Sequence, residues 1–205
     1  ERRAPTIGVI GLGAGSLAGP SSAGEDWRFF EIDPVVVAIA NSKKFTFMAN
    51  CQPEAKIRLG DARLTFAGEP DASYDLVIVD AFSSDAVPVH LLTAEAIAIY
   101  AAKLKPDGVG LLHISNRYLD FEQVAAATLP VVGGLHGLTI NDLNEDDGYA
   151  VTGSTVVLFS RNAAAIDRFR AVPGAHDLPQ PAVKPWTDDS SDILGPFLSQ
   201  YRKRS

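Results

Sequence analysis

Four apolar runs, each closing on glycine or on an acid, set the strongest limit on what this chain can fold into. They are TIGVIGLG (residues 6–13), WRFFEID (27–33), AKIRLGD (55–61) and YDLVIVDAF (74–82). Continuous apolar runs rich in β-branched residues are strands covered on both faces, and that is the condition of a parallel sheet flanked by helices. Parallel neighbours need crossover connections, and these are right-handed. The intervening segments suit that role. PVVVAIANS reads as a helix opening on Pro34, and TAEAIAIYAAKL as one capped by Thr93 and closed by KPDG. GVGLLHIS supplies a fifth strand, and FEQVAAATLPVVGGL a helix that Pro130 kinks or ends. LTINDLN and STVVLFSR are joined by a polar link too short for a helix, so they form an antiparallel hairpin at the sheet edge. The predicted fold is α/β, a Rossmann-like doubly wound sheet of about seven strands, mostly parallel with a C-terminal antiparallel hairpin. Residues 1–205 read as one domain, which a chain of 205 residues with 46% hydrophobic content can fill.

In such sheets ligands bind beyond the carboxyl ends of the strands. The acids that end the runs, Glu31, Asp33, Asp61 and Asp80, all fall there. Gly11, Gly13 and Gly15 let the first turn bend sharply and bring backbone amides close to a ligand. Glu31, twenty residues after Gly11, can accept the hydroxyl protons of a ribose. The bland alternative is a bare strand-to-helix turn with Glu31 as a solvated strand end. That pattern fits nicotinamide and S-adenosylmethionine enzymes alike. The discriminating feature is GDAR (60–63), where the Asp61 carboxylate can accept from an adenine amino group and the Ala62 amide can meet a ring nitrogen. Its competitor is a helix-capping role for Asp61. Asp80 and Asp85 follow strand four, where a carboxylate can hold a substrate amine or take its proton. His90, and His113 with Asn116, Arg117 and Tyr118, fall on the same side, and a satisfied core histidine is the commoner fate of such a residue.

Composition excludes several other functions. A net charge of −7 with no basic stripe argues against nucleic acid as a partner. A lone cysteine, Cys51, rules out an internal disulfide and fits a reducing compartment. No metal-ligand spacing such as H-E-x-x-H occurs, so no metal is predicted, and there is no G-x-S-x-G nucleophile elbow. No run is long enough to span a bilayer and no signal peptide precedes the first strand, so direct membrane insertion is not expected and the predicted location is the cytoplasm. The opening ERRAPTIGVIG, without methionine and entering a strand at once, suggests a piece of a longer protein.

Together VIGLGAGS, FFEIDP, LGDAR and YDLVIVDAF followed by DAVPVHLLT resemble the spermidine synthase family of aminopropyltransferases, on the class I methyltransferase fold. The likeness runs from about Thr6 to Ser115. It is closest to bacterial spermidine-synthase-like domains fused to transmembrane segments, which carry motifs similar to HISNRYLD and the closing WTDD. The resemblance implies that Glu31 and Asp61 bind the ribose and adenine of S-adenosylmethionine or its decarboxylated form. It implies that Asp80 lines the amine site, that Asp85 deprotonates the attacking amine, and that the protein is a homodimer, here with an upstream membrane tether. Three departures stand out. The family's aspartate in the glycine loop, which binds the aminopropyl amine, is matched here by Ala14. Asp80 and Asp85 are further apart than the family's pair, and the N-terminal β-domain is missing. Losing a charge-assisted contact costs about 1.5–3 kcal/mol, which shifts preference toward ordinary S-adenosylmethionine. Asp188 and Asp189 restore negative charge if the tail folds back over the strand ends. His90 and Tyr118 complete the expected substrate contacts. The leading expectation is aminopropyl transfer to a small amine such as putrescine. The alternatives are methyl transfer to a small acceptor, an adenosyl-ligand or polyamine sensor without turnover, and, more distantly, a nicotinamide oxidoreductase.

Overall fold

The computed structural model describes residues 3–42, 44–81, 89–142 and 153–204. Its eight strands are β1 (Thr6–Ile10), β2 (Asp26–Glu31), β3 (Lys56–Leu59), β4 (Tyr74–Val79), β5 (Leu104–His113), β6 (His136–Asp142), β7 (Ser154–Ser160) and β8 (Ala175–His176). They form one sheet in the order β3-β2-β1-β4-β5-β7-β6-β8. The first five are parallel, and β7 runs antiparallel to both β5 and β6. The predicted edge hairpin is therefore present, and the two-residue β8 adds an eighth strand beyond it.

Helices cover both faces: α1 (Pro34–Ala40), α2 (Phe47–Cys51), α3 (Ala62–Ala67), α4 (Ala94–Lys103), α5 (Phe121–Val132), α6 (Ala163–Asp167) and α7 (Leu194–Arg204). Strand side chains alternate between the two sides, so neighbours in sequence enter different cores. Phe30, Val77, Val79 and Leu112 pack with residues of α3, α4 and α5, whereas Phe29, Ile78 and Val9 pack with residues of α1 and α2. Burial on both faces is why β1 and β4 read as continuously apolar, whereas β3, at the sheet edge, leaves Lys56, Arg58 and Leu59 exposed, against the expectation from its sequence. A smaller cluster of Val109, Leu138 and Leu158 receives Ala165 and Ile166 of α6.

Local signals account for most helix starts. Asp33 accepts from the Val35 amide with Pro34 at the first turn, Thr93 accepts from Ala96, Asp120 from Gln123, and Asn162 from Ala164. Three expectations change. The glycine turn leads into a three-residue 3-10 helix, Ser16–Ala18, and not into an α-helix, because β2 begins only eight residues later. KPDG does not close α4 but bulges within β5: Tyr74 pairs with Leu104, while Leu76 pairs with Val109. Pro130 lies inside the last turn of α5, which ends at Gly133 with φ +78°. The tail docks through Trp186, fully buried and edge-on to Phe121 at 5.9 Å. Its indole donates to the Asp192 carbonyl at 3.0 Å, and its own carbonyl accepts from Ala94 at the start of α4. Among the described residues, no helix is long and apolar enough to cross a membrane.

Candidate active site

The carboxyl ends of β1, β2, β3 and β4 open onto a cavity of about 360 Å³. It is lined by Gly11, Gly13, Phe30, Glu31, Ile32, Asp33, Val36, Asp61, Ala62, Asp80, Ala81, His90 and Leu91. Of the residues singled out in the sequence, Gly11, Gly13, Glu31, Asp33, Asp61, Ala62, Asp80 and His90 thus converge on one space. The apolar members, Phe30, Ile32, Val36 and Leu91, were not singled out. Phe30 and Ile32 flank Glu31 and Val36 lies in the first turn of α1 after Asp33, so their signal was local; Leu91, eleven residues past Asp80, carries none.

Gly11 is the fulcrum. Its φ is +98°, and a Cβ there would stand 2.2 Å from the carbonyl oxygen of Asp80. Close approach between the β1 and β4 ends is possible only without a side chain. Gly13, at φ +53°, has open space where a Cβ would be, which leaves its backbone accessible from the cavity. Gly15 is different. It is not among the cavity-lining residues; its φ of +80° and the 2.7 Å that would separate a Cβ from Met48 Cγ, in α2, together account for this glycine.

Glu31 holds the loop together. Its Oε2 accepts from the Leu12 amide at 3.0 Å, and Oε1 accepts from Ile32 and Asp33 at 2.8 and 3.0 Å. Three amides fix the carboxylate without exhausting its roughly four acceptor positions. Asp61 realises the capping alternative: Oδ1 accepts from Leu64 at 3.2 Å and starts α3. Its Oδ2 stands 3.8 Å from His90 Nε2, so capping and facing the cavity are compatible. Ala62, first residue of α3, presents an amide with no acceptor inside its own helix. Asp33 is engaged as the α1 cap while lining the cavity rim.

At the far end, Asp80 Oδ1 meets His113 Nδ1 at 2.6 Å, and His113 Nε2 meets Ser115 Oγ at 2.8 Å. Sequence reading placed His113 on this side but gave it no partner. Parallel register supplies one: Val79 pairs with Leu112, which sets Asp80 beside His113 on adjacent strands.

The tail does fold back toward the strand ends, yet Asp188 is clasped there. Its carboxylate receives both terminal guanidinium nitrogens of Arg63, one at 2.7 Å, and the Thr93 hydroxyl at 2.8 Å. The guanidinium holds the Asp188 carboxyl below the ordinary carboxylate range. These groups line a neighbouring hollow that shares His90 with the main cavity. Asp189 is exposed in the turn closed by Thr187 and Ser190, and Tyr118 is half exposed; neither lines the cavity. Asp85, the expected base, lies outside the described residues.

The cavity suits an adenosyl thioether or sulfonium: carboxylates at three strand ends, apolar walls for a flat ring, and an accessible glycine backbone. Among the described residues no group of three or more His, Cys, Asp or Glu side chains is arranged to hold a metal ion.

Comparison with known proteins agrees with this architecture. No family model matches the chain. It is 30% identical over 139 residues to a polyamine aminopropyltransferase of Vibrio vulnificus, covering 64% of this chain and 45% of that protein. It is 36% identical over 102 residues to an N-terminal histidine N-methyltransferase of Emericella nidulans, covering 49% of this chain and 18% of that protein. The chain thus spans less than half the length of either relative. A crystal structure of a probable spermidine synthase from Corynebacterium glutamicum superposes with a TM-score of 0.67 at 18% identity, covering 93% of this chain and 75% of that one. The fold is that of the class I methyltransferases, and the likeness to the spermidine synthase-like family is supported by sequence and by structure.

Proposed function

We propose that this domain catalyses aminopropyl transfer from decarboxylated S-adenosylmethionine to a small diamine such as putrescine. The observation that carries the reading is the convergence of Glu31, Asp61 and Asp80, from the ends of three successive strands, on one cavity with apolar walls. In this reading Glu31 accepts from the ribose hydroxyls, and Asp61, with the Ala62 amide, reads the adenine edge. Asp80 faces the reacting end. The bound sulfonium supplies an electrophilic carbon with a neutral leaving group.

A diamine arrives as an ammonium and must lose a proton before its nitrogen can attack. Asp80 attracts that cation and is placed to take the proton, leaving a neutral amine. Attack then forms the C–N bond while the C–S bond breaks with its electron pair to sulfur, releasing methylthioadenosine. The new secondary ammonium keeps its proton near neutral pH, and Asp80 releases the proton it took to solvent, which restores the carboxylate. Asp85 remains a proposed second carboxylate at this end, following the family resemblance. Alignment of amine and carbon between Asp80 and the glycine turn supplies much of the acceleration.

A second reading, methyl transfer from S-adenosylmethionine, is favoured by one feature: Ala14 stands where the spermidine synthases carry the carboxylate that holds the aminopropyl amine. The similarity to an N-methyltransferase fits it. The product nucleoside separates the two. Incubation with each donor and putrescine, followed by chromatography, is expected to yield methylthioadenosine; S-adenosylhomocysteine instead would establish the second reading. Saturable thioether binding with neither product would mark a sensor.

A further inference from the structure

Resting on the reading above, we propose that His113 is a positioning residue for Asp80, anchored through Ser115 to the backbone of β7. Four groups stand in line. The Thr155 amide donates to Ser115 Oγ at 2.8 Å, Ser115 Oγ meets His113 Nε2 at 2.8 Å, and His113 Nδ1 meets Asp80 Oδ1 at 2.6 Å. The direction of the chain follows from proton counting. The Asp80 carboxylate only accepts, so Nδ1 must carry the imidazole proton. In the neutral ring Nε2 is then the acceptor, and the Ser115 hydroxyl, which holds the Thr155 amide on one lone pair, donates its proton to it. Nδ1 then carries the imidazole proton and donates it to Asp80 Oδ1, leaving Oδ2 for a ligand. The line is rigid at its far end: Ile114 donates to the Thr155 carbonyl at 2.9 Å, and β5 pairs with β7 at His113 and Val156.

Asp80 lines the cavity and His113 is not among the lining residues. The histidine therefore acts on the cavity through the Asp80 carboxylate. A short aspartate side chain has two free torsions, and one fixed oxygen decides where the other points. In a transfer that needs in-line attack, displacement of the proton-accepting oxygen by about 1 Å is worth on the order of a hundredfold in rate.

The test uses the full chain with decarboxylated S-adenosylmethionine and putrescine. His113→Ala is expected to lower kcat/KM for putrescine about 10- to 100-fold while methylthioadenosine affinity, by calorimetry, stays within about twofold of wild type. His113→Asn, whose amide nitrogen can occupy the Nδ1 position, is expected to recover most of the loss. Ser115→Ala, which keeps the imidazole but releases its tautomer, should lie between. Equal loss in His113→Ala and His113→Asn, or a parallel loss of nucleoside affinity, would reduce His113 to a structural residue and overturn the proposal. A wild-type protein with neither thioether binding nor transfer would instead sink the functional reading. The hydrogen-bonded line is read apart from turnover by imidazole 15N spectra: an Nδ1–H tautomer that Asp80→Ala perturbs is expected, and an Nε2–H tautomer would refute it.

Discussion

Gly11→Ala and Gly13→Ala make a paired experiment in which the same methyl group enters two positions of one turn. Both glycines have positive φ, so each alanine carries conformational strain of about 1–2 kcal/mol. At Gly13 that is the whole structural cost, because nothing lies within 4 Å of the added Cβ. At Gly11 the methyl meets the Asp80 carbonyl oxygen at 2.2 Å, more than 1 Å inside ordinary contact. The β1 and β4 ends must part. That strains two hydrogen bonds, Gly11 amide to Phe30 carbonyl at 2.9 Å and Asp80 amide to Ile10 carbonyl at 2.8 Å, each worth about 0.5–1.5 kcal/mol. Gly11→Ala is therefore expected to cost about 3–4 kcal/mol in total, against about 1–2 for Gly13→Ala. Urea denaturation followed by tryptophan fluorescence reads both. Function should divide the other way: Gly13→Ala, though well folded, is expected to weaken adenosyl thioether binding at least tenfold, since its open space faces the cavity. Equal destabilisation by the two substitutions would refute the close-approach argument, and full-affinity binding by Gly13→Ala would refute ligand contact at this turn.

Three other perturbations follow from the same geometry. Glu31→Ala removes the acceptor of three amides as well as the proposed ribose contact, so it should cost about 2 kcal/mol and abolish thioether binding, whereas Glu31→Gln should retain more stability than binding; calorimetry and denaturation together check this. Trp186→Ala should cost about 3–5 kcal/mol and expose the tail to limited proteolysis before the sheet, because the buried indole is what seats the tail between α4 and α5. Asp188→Asn should destabilise near neutral pH and progressively less as pH falls below about 4. The sign follows from Arg63 holding the native carboxyl below its ordinary value, so the stabilisation is present above the unfolded-state value and vanishes on protonation. Unfolding midpoints of wild type and variant between pH 3 and 7 should converge at the acid end, and a constant difference would refute the ion pair's role.

What the sequence determined by itself was whatever depends on near neighbours. Apolar runs dictated parallel strands, Thr93 announced the helix it caps, and acids ending those runs were bound to gather at one edge of the sheet. Locally plausible alternatives were also legible, as Asp61 shows by capping α3 while still turning an oxygen to the cavity. Signals that depend on spacing alone were less informative. The three glycines looked equivalent, yet one answers to a carbonyl across the sheet, one to open space and one to Met48.

Tertiary structure decided the long-range pairs. Register between β4 and β5 brought Asp80 to His113, thirty-three residues away, and the returning tail delivered Asp188 to Arg63 across one hundred and twenty-five. Neither pair leaves a local trace, because a histidine or an aspartate at a strand end or in a turn satisfies the same periodicity whatever it meets. Strand order and loop return select the partner, and both are settled only when the two cores close on either side of the sheet.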